Sequence, residues 1–164
     1  MAFSRAFLKL IAAAMLLAAS FAPSANAAPG SDTYTAEEIV AAGQNFFGTI
    51  SGSLATLVER AVGRYGLPNG YIIGQEGSGA IIGGLRYGDG VLYTKIDGQK
   101  QVFWQGPSVG WDFGGQGSRT MVLVYNLDDV PNLYDRFAGV AGSAYVVAGL
   151  GLNVLKNGNI LLVP

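Results

Sequence analysis

Two carboxylates are placed where acid–base chemistry could use them. Glu76 lies between Gly74 and Gly77 beside an apolar run, and Asp112 lies between Trp111 and Phe113. Pairs of carboxylates flanked by aromatic rings are typical of enzymes that cleave glycosidic bonds. A carboxylate-based hydrolase acting on a polymer is therefore one hypothesis. The alternative is structural: one acid is solvated, and the other pairs with an arginine.

Composition limits every other kind of catalysis. The chain contains no His and no Cys, which removes His-based triads, thiol nucleophiles and most zinc or iron sites. Arg86 and Arg119 are available as partners for the acids. We therefore predict a protein that is not an enzyme and that holds no metal and no cofactor.

Two glycine-rich stretches resemble phosphate-binding loops only superficially. The stretch GWDFGGQG, residues 110–117, leads into SRTMVLVY, which is strand-like and lacks the lysine of a Walker loop. The stretch GSGAIIG, residues 77–83, has the wrong spacing for a dinucleotide fingerprint, and no helix follows it. Both are better interpreted as places where strands bend or backbones approach closely.

Aromatic residues are concentrated around the stretch at residues 110–117. Trp104, Trp111 and Phe113 fall within 23 residues together with Phe103 and Tyr125. Packing in the core is the first interpretation, and a groove for an acyl chain or an envelope polymer is the second. The candidate ligand-binding residues are Trp104, Trp111, Phe113, Arg119 and Glu76.

The amino terminus is typical of an exported protein. A positively charged start is followed by an apolar run over residues 10–22 and by an Ala-x-Ala site ending at Ala27. This order predicts a secretory signal peptide over residues 1–27. A membrane anchor fits less well, because the run of thirteen residues is shorter than the roughly 20 that span a bilayer. Residues 28–34 are expected to form a flexible mature terminus.

The mature chain is expected to be weakly acidic. Two of the ten Lys and Arg residues precede the cleavage site and all eleven acids follow it, which leaves a net charge of about −3. No basic patch is visible, so nucleic acid is not an expected partner. The oligomeric state does not follow from the sequence.

Two amphipathic helices are predicted over residues 35–66. Thr35 and Glu38 form a capping box, Ile39 begins an apolar face, and Gly48 ends the first helix. The second helix is predicted from about Gly52, with its apolar stripe formed by Leu54, Leu57, Val58, Ala61, Val62 and Tyr65.

Residues 70–164 alternate short extended runs with glycine, which predicts about eight strands of mostly five to seven residues. The GDG at 88–90 is expected to be a turn. Asp97-Gly98 predicts a two-residue hairpin in which Val91 faces Trp104, although a four-residue loop remains open. That register places Val91, Tyr93 and Val102 beside Trp104, and Leu92 and Phe103 on the other face.

Three further elements complete the prediction. The run TMVLVY, residues 120–125, is apolar on both faces and predicts a central strand. Residues 127–137 predict a short helix capped by Asp128 or Asp129 with Pro131 in its first turn. Asn157-Gly158 predicts a hairpin.

The expected fold is α+β and mainly antiparallel β: a small soluble β-barrel of about eight short strands, preceded by two amphipathic helices that form one domain with it. A membrane barrel fits less well, because its strands would need roughly 9–11 residues. An integral membrane protein is therefore not expected. The chain ends at Pro164 directly after an apolar strand, from which we expect that its last strands are missing.

Three segments carry a family resemblance: LPNGYIIGQEGSGAIIGGLRYGDGVLY, VFWQGPSVGWDFGGQGSRTMVLVYNL and YDRFAGVAGSAYVVAGLGLNVL. They resemble the envelope integrity protein A family of bacterial periplasmic proteins, long known as a domain of unknown function. The resemblance implies a small β-barrel in the periplasm, a role in envelope integrity and stress resistance, and no enzymatic activity. Lipid or another envelope component is the partner it suggests.

A weaker similarity runs to the SYLF lipid-binding domain, through the Trp…Pro-Ser motif, the glycine-rich bend and VLVYN. SYLF domains bind phosphoinositide-type, anionic lipids in eukaryotic proteins, so this similarity implies an alternative function as a lipid-binding module. Three hypotheses therefore stand: envelope support, lipid binding of the SYLF type, and a carboxylate hydrolase acting on envelope polymers.

Overall fold

Two helices precede an antiparallel sheet in the computed structural model, which describes residues 31–48, 51–79, 85–107, 118–147 and 150–164. The predicted signal peptide, Trp111, Asp112 and Phe113 lie outside these residues. The helices are α1 (Ala36–Phe47) and α2 (Ser51–Tyr65). The strands are β1 (Gly70–Gly79), β2 (Leu85–Thr94), β3 (Gly98–Pro107), β4 (Ser118–Tyr125), β5 (Ala138–Gly139), β6 (Tyr145–Val147), β7 (Leu150–Leu152), β8 (Leu155–Asn157) and β9 (Ile160–Val163).

The predicted helices are confirmed, including their ends. The backbone N–H of Thr35 donates to Glu38 Oε2 at 2.7 Å, and the N–H of Glu38 donates to Thr35 Oγ1 at 3.3 Å, so the capping box is complete. Gly48 follows α1 with a φ of 83°, a left-handed conformation that favours glycine. Within the described part of the chain, no helix is long and apolar enough to cross a membrane.

Seven strands form one curled sheet in the order β3-β2-β1-β4-β9-β8-β5, and β6 and β7 pair separately. All neighbouring strands of these two sheets are antiparallel. Two helices followed by a curled antiparallel sheet confirm the predicted fold class. β4 lies between β1 and β9, and its residues 122–125 are all buried, as its apolar sequence predicts.

Both sides of this sheet carry a hydrophobic core, because successive side chains of a strand point to opposite faces. On the helix face, Leu123 and Tyr125 pack with Ile39 of α1 and with Val58 of α2. On the opposite face lies a second cluster, formed by Ile72, Leu92, Val102, Val122, Val124 and Leu127. We refer to these sides as the helix face and the opposite face.

The predicted turn at residues 88–90 is wrong, and so are the predicted strand lengths. Residues 88–90 lie inside β2, and β1, β2 and β3 each contain ten residues. Neither Gly88 nor Gly90 has a positive φ. These glycines continue the strand, and their role is the close packing described below.

The predicted register of the β2–β3 hairpin is also wrong. Thr94 pairs with Gly98, so the loop contains three residues, neither two nor four. Gly98 has a φ of 71°, and the Thr94 hydroxyl accepts from the N–H of Asp97 at 3.0 Å; both close a three-residue loop. Trp104 therefore pairs with Gly88 and shares its face with Leu92.

Of the two remaining predictions, the hairpin is confirmed and the helix is only partly correct. Asn157 pairs with Ile160 across a two-residue loop, which confirms the hairpin at Asn157-Gly158. The helix predicted at 127–137 is a single 3₁₀ turn, Val130–Leu133. Asp129 precedes that turn, but its side chain makes no capping hydrogen bond.

We expect Tyr125→Phe to stabilise the protein by about 1 kcal/mol at pH 7. The Tyr125 hydroxyl is buried on the helix face and has no hydrogen-bond partner among the described residues, so its removal relieves a desolvation penalty. Urea unfolding measures the change. Tyr87→Phe, at a ring that is 46% exposed, is the matched control and should change little.

The same variant should alter the response to alkali. Burial raises the pKa of Tyr125 above its usual value, whereas the unfolded chain loses this proton near pH ~10. Above that pH the unfolded chain releases the proton while the folded protein still holds it. The free energy of unfolding is therefore unaffected by this titration at lower pH and falls as the pH rises further. Tyr125→Phe should therefore lose less stability than the parent protein above pH ~10; an equal loss would contradict this.

Candidate functional site

Trp104 lies in a recess made by glycines. A Cβ built on Gly88 would clash with its indole, and one built on Gly74 would lie 2.6 Å from Cη2. At Gly90 a Cβ would lie 2.5 Å from the carbonyl oxygen of Ile73. The sheet has no side chains at these three positions, and the indole is packed against bare backbone.

Glu76 fixes the indole in this recess. Its Oε1 accepts a hydrogen bond from Trp104 Nε1 at 2.8 Å, and its Oε2 accepts from Arg86 Nη1 at 3.1 Å. The Glu76 side chain is 13% exposed and that of Arg86 is 32% exposed. Glu76 is therefore the paired acid of the structural interpretation, and its partner is Arg86.

This ion pair orients Arg86 but does not use all of its hydrogen-bond donors. Its Nε is buried and has no hydrogen-bond partner among the described residues. The strand pairing places Glu76 beside Ser118, and Gly74 beside Thr120, on the same face of the sheet. The opposite face thus carries a polar cluster at this end: Glu76, Arg86, Trp104, Ser118 and Thr120.

Arg119 does not join this cluster. It pairs with Gln75 and therefore points to the helix face. Its Nη1 donates to the backbone carbonyl oxygen of Phe46 at 2.8 Å, and its guanidinium lies 5.6 Å from the centre of the Phe46 ring. Among the five predicted ligand-binding residues, the structure brings together Glu76 and Trp104, separates Arg119, and leaves Trp111 and Phe113 outside its described residues.

Of the two carboxylates predicted for a hydrolase, Glu76 and Asp112, the structure describes only Glu76. Glu76 accepts hydrogen bonds on both oxygens, an arrangement that holds a neighbouring ring and a cation in place. Asp112 lies outside the described residues. In the part of the chain that the structure describes, no group of three or more acids could hold a metal ion.

A second surface lies on the helix face, beyond the helices. Phe103 is 68% exposed, and Tyr87 and Leu85 are also exposed. These three side chains share one face of β2 and β3. A shallow groove of about 570 Å³ beside them is lined by Tyr87, Gly88, Asp89, Phe103, Trp104 and Gln105. We call Leu85, Tyr87 and Phe103 the aromatic strip.

The aromatic strip was not among the predicted site residues. Phe103 was predicted to lie on the face opposite Trp104, and that alternation is confirmed. If Trp104 points to the opposite face, Phe103 must point to the helix face. This alternation was the sequence signal from which the strip could have been predicted.

The chain is similar to one protein family and to a solved structure. A family model described as Envelope integrity protein A matches residues 32–164. A solved structure of an uncharacterized β-barrel-like protein from Brucella abortus is 67% identical, with a TM-score of 0.77 over 82% of this chain and 83% of that one. Among curated proteins, none matches this chain.

Proposed function

The chain belongs to the envelope integrity protein A family, and on that basis we propose that it is a periplasmic, non-catalytic protein that keeps the cell envelope intact under stress. It does so by binding lipid or another apolar envelope component. The binding surface is the aromatic strip on β2 and β3.

The observation that carries this proposal is the exposure of the strip. Phe103 is 68% exposed, Tyr87 46% and Leu85 36%, and all three lie on one face of two neighbouring strands. Single exposed apolar residues are ordinary, but contiguous ones mark interaction surfaces. Aromatic rings beside an aliphatic side chain suit the boundary between acyl chains and headgroups.

Charge indicates which lipid this surface prefers. Asp89 pairs with Phe103 and lies on the same face. Of the other residues that β2 and β3 place on this face, none is basic. Anionic headgroups are attracted by clusters of Lys and Arg, so a zwitterionic or uncharged surface fits better than the anionic lipid of a SYLF-type module.

We expect Phe103→Ser to weaken binding to phosphatidylcholine–phosphatidylethanolamine vesicles at least tenfold, because burying one aromatic ring in the lipid contributes roughly 1.5–3 kcal/mol that the serine cannot supply. Co-sedimentation at a series of lipid concentrations measures the effect. Ile96→Ser is the matched control: Ile96 is 69% exposed but lies in the β2–β3 loop, away from the strip.

Equal binding by the two variants would overturn the role of the strip. Preferential binding to phosphatidylglycerol vesicles would support the SYLF-type alternative instead. In cells, a deletion strain should become sensitive to detergents and cell-wall antibiotics. Unchanged sensitivity would contradict the envelope function itself.

A further inference from the structure

The polar cluster on the opposite face is separate from the aromatic strip. Trp104 and Phe103 are consecutive residues of β3, so their side chains point to opposite sides of the sheet. The cluster and the strip therefore lie on opposite faces, although Trp104 also lines the shallow groove beside the strip.

Net stabilisation alone gives little reason for an ion pair at this place. Glu76 and Arg86 lie at one end of a face whose central residues form a hydrophobic core. A largely buried ion pair loses hydration that its mutual attraction only partly restores, and apolar residues of similar size often serve as well or better. Together with the glycine recess that holds Trp104, this indicates a built site.

The cluster offers both kinds of hydrogen-bonding group and no net charge. The guanidinium of Arg86 has five N–H donors, and a carboxylate has about four acceptor positions. Within the described residues, Glu76 receives one bond on each oxygen, and Arg86 Nε has no partner. Since the two charges cancel, an anion would approach Arg86 against the repulsion of Glu76.

We infer that this cluster binds an uncharged sugar. Each sugar hydroxyl both donates and accepts, which matches an adjacent carboxylate and guanidinium. Ser118 and Thr120 supply hydroxyl groups on the same face, and Thr120 pairs with Gly74, against which the partly exposed indole of Trp104 packs. The indole gives the apolar face of a sugar ring a flat surface to contact.

The indole N–H of Trp104 reports binding directly, because Nε1 donates to Glu76. The chain contains two tryptophans, so Trp111→Phe leaves Trp104 as the single indole signal in a ¹H–¹⁵N spectrum. We expect N-acetylglucosamine to shift this signal with a Kd of about 1 mM. Glucuronate, which carries a negative charge, should bind at least tenfold more weakly.

Arg86→Lys keeps the positive charge beside Glu76 but loses the planar fork of donors, and should raise the Kd for N-acetylglucosamine at least tenfold. Arg119→Lys is the matched control, since Arg119 lies on the helix face, and should leave the Kd unchanged. The absence of a shift, equal binding of glucuronate, or equal binding by the two lysine variants would overturn the inference. Phe103→Ser should leave sugar binding intact, so failure here is distinguishable from failure of the lipid proposal.

Discussion

Gly74→Ala should destabilise the protein by about 3 kcal/mol, at the upper end of the usual cost of overpacking. A Cβ at this position would clash with the carbonyl oxygen of Asp89 and would lie 2.8 Å from the Cα of Gly90. Both are backbone atoms of the neighbouring strand, so β1 and β2 would have to separate. The indole of Trp104, 2.6 Å away, blocks the remaining direction.

Gly77→Ala is the control for this substitution. Gly77 lies in the same strand, but a Cβ there would meet no described atom within 4 Å. Alanine costs less backbone entropy than glycine in a strand, so this variant should be neutral or slightly more stable. Urea unfolding measures both. If the two variants had equal stability, the close packing around Gly74 would not be needed.

Glu76→Ala should lower the free energy of unfolding by about 2–3 kcal/mol. It removes the acceptor of the Trp104 indole N–H and leaves the guanidinium of Arg86 two-thirds buried without its counter-charge. The solvent access of Arg86 keeps the cost below that of a fully buried pair. Urea unfolding gives the free energy, and tryptophan emission reports the release of the indole.

Two comparisons test the cause. Glu59→Ala, at an exposed position of α2, should change stability by less than about 0.5 kcal/mol. The double variant Glu76→Ala, Arg86→Ala should be less destabilised than the sum of the two single variants, because it leaves no unpaired charge. Additive effects would show that Glu76 and Arg86 do not act as a pair.

The helical half of the fold could be predicted because its signals are local. Thr35 and Glu38 cap α1 through contacts three residues apart, and the apolar stripe of α2 follows from its helical spacing. β4 was found in the same way, from an unbroken apolar run. In each case, neighbouring residues alone define the element.

Glycine is where the sequence was ambiguous. Gly98 is required by a positive φ, whereas Gly88 lies in an extended strand and is required by the indole above it. Both read as turn signals, because the sequence shows only that a Cβ is missing. The β2–β3 loop has three residues in place of the predicted two, so the predicted hairpin register was displaced by an odd number of positions. That displacement put Leu92 on the wrong face of the predicted sheet.

The candidate site depended on this register. Glu76 and Arg86 are ten residues apart and were predicted as one option for an ion pair. The hydrogen bond that Trp104 donates to Glu76, however, depends on Trp104 pairing with Gly88. Arg119 was grouped with them by residue type. The strand alternation that sends it to the helix face could be assigned only once β1 and β4 were aligned.

β4 contributes Leu123 and Tyr125 to one core, and Val122 and Val124 to the other. Loss of this strand would expose both cores to water in one step. Neither the helical pair nor the sheet could then retain its apolar contacts, so intermediates with half of the structure intact are disfavoured. The shared strand makes unfolding cooperative across two layers that are far apart in the sequence.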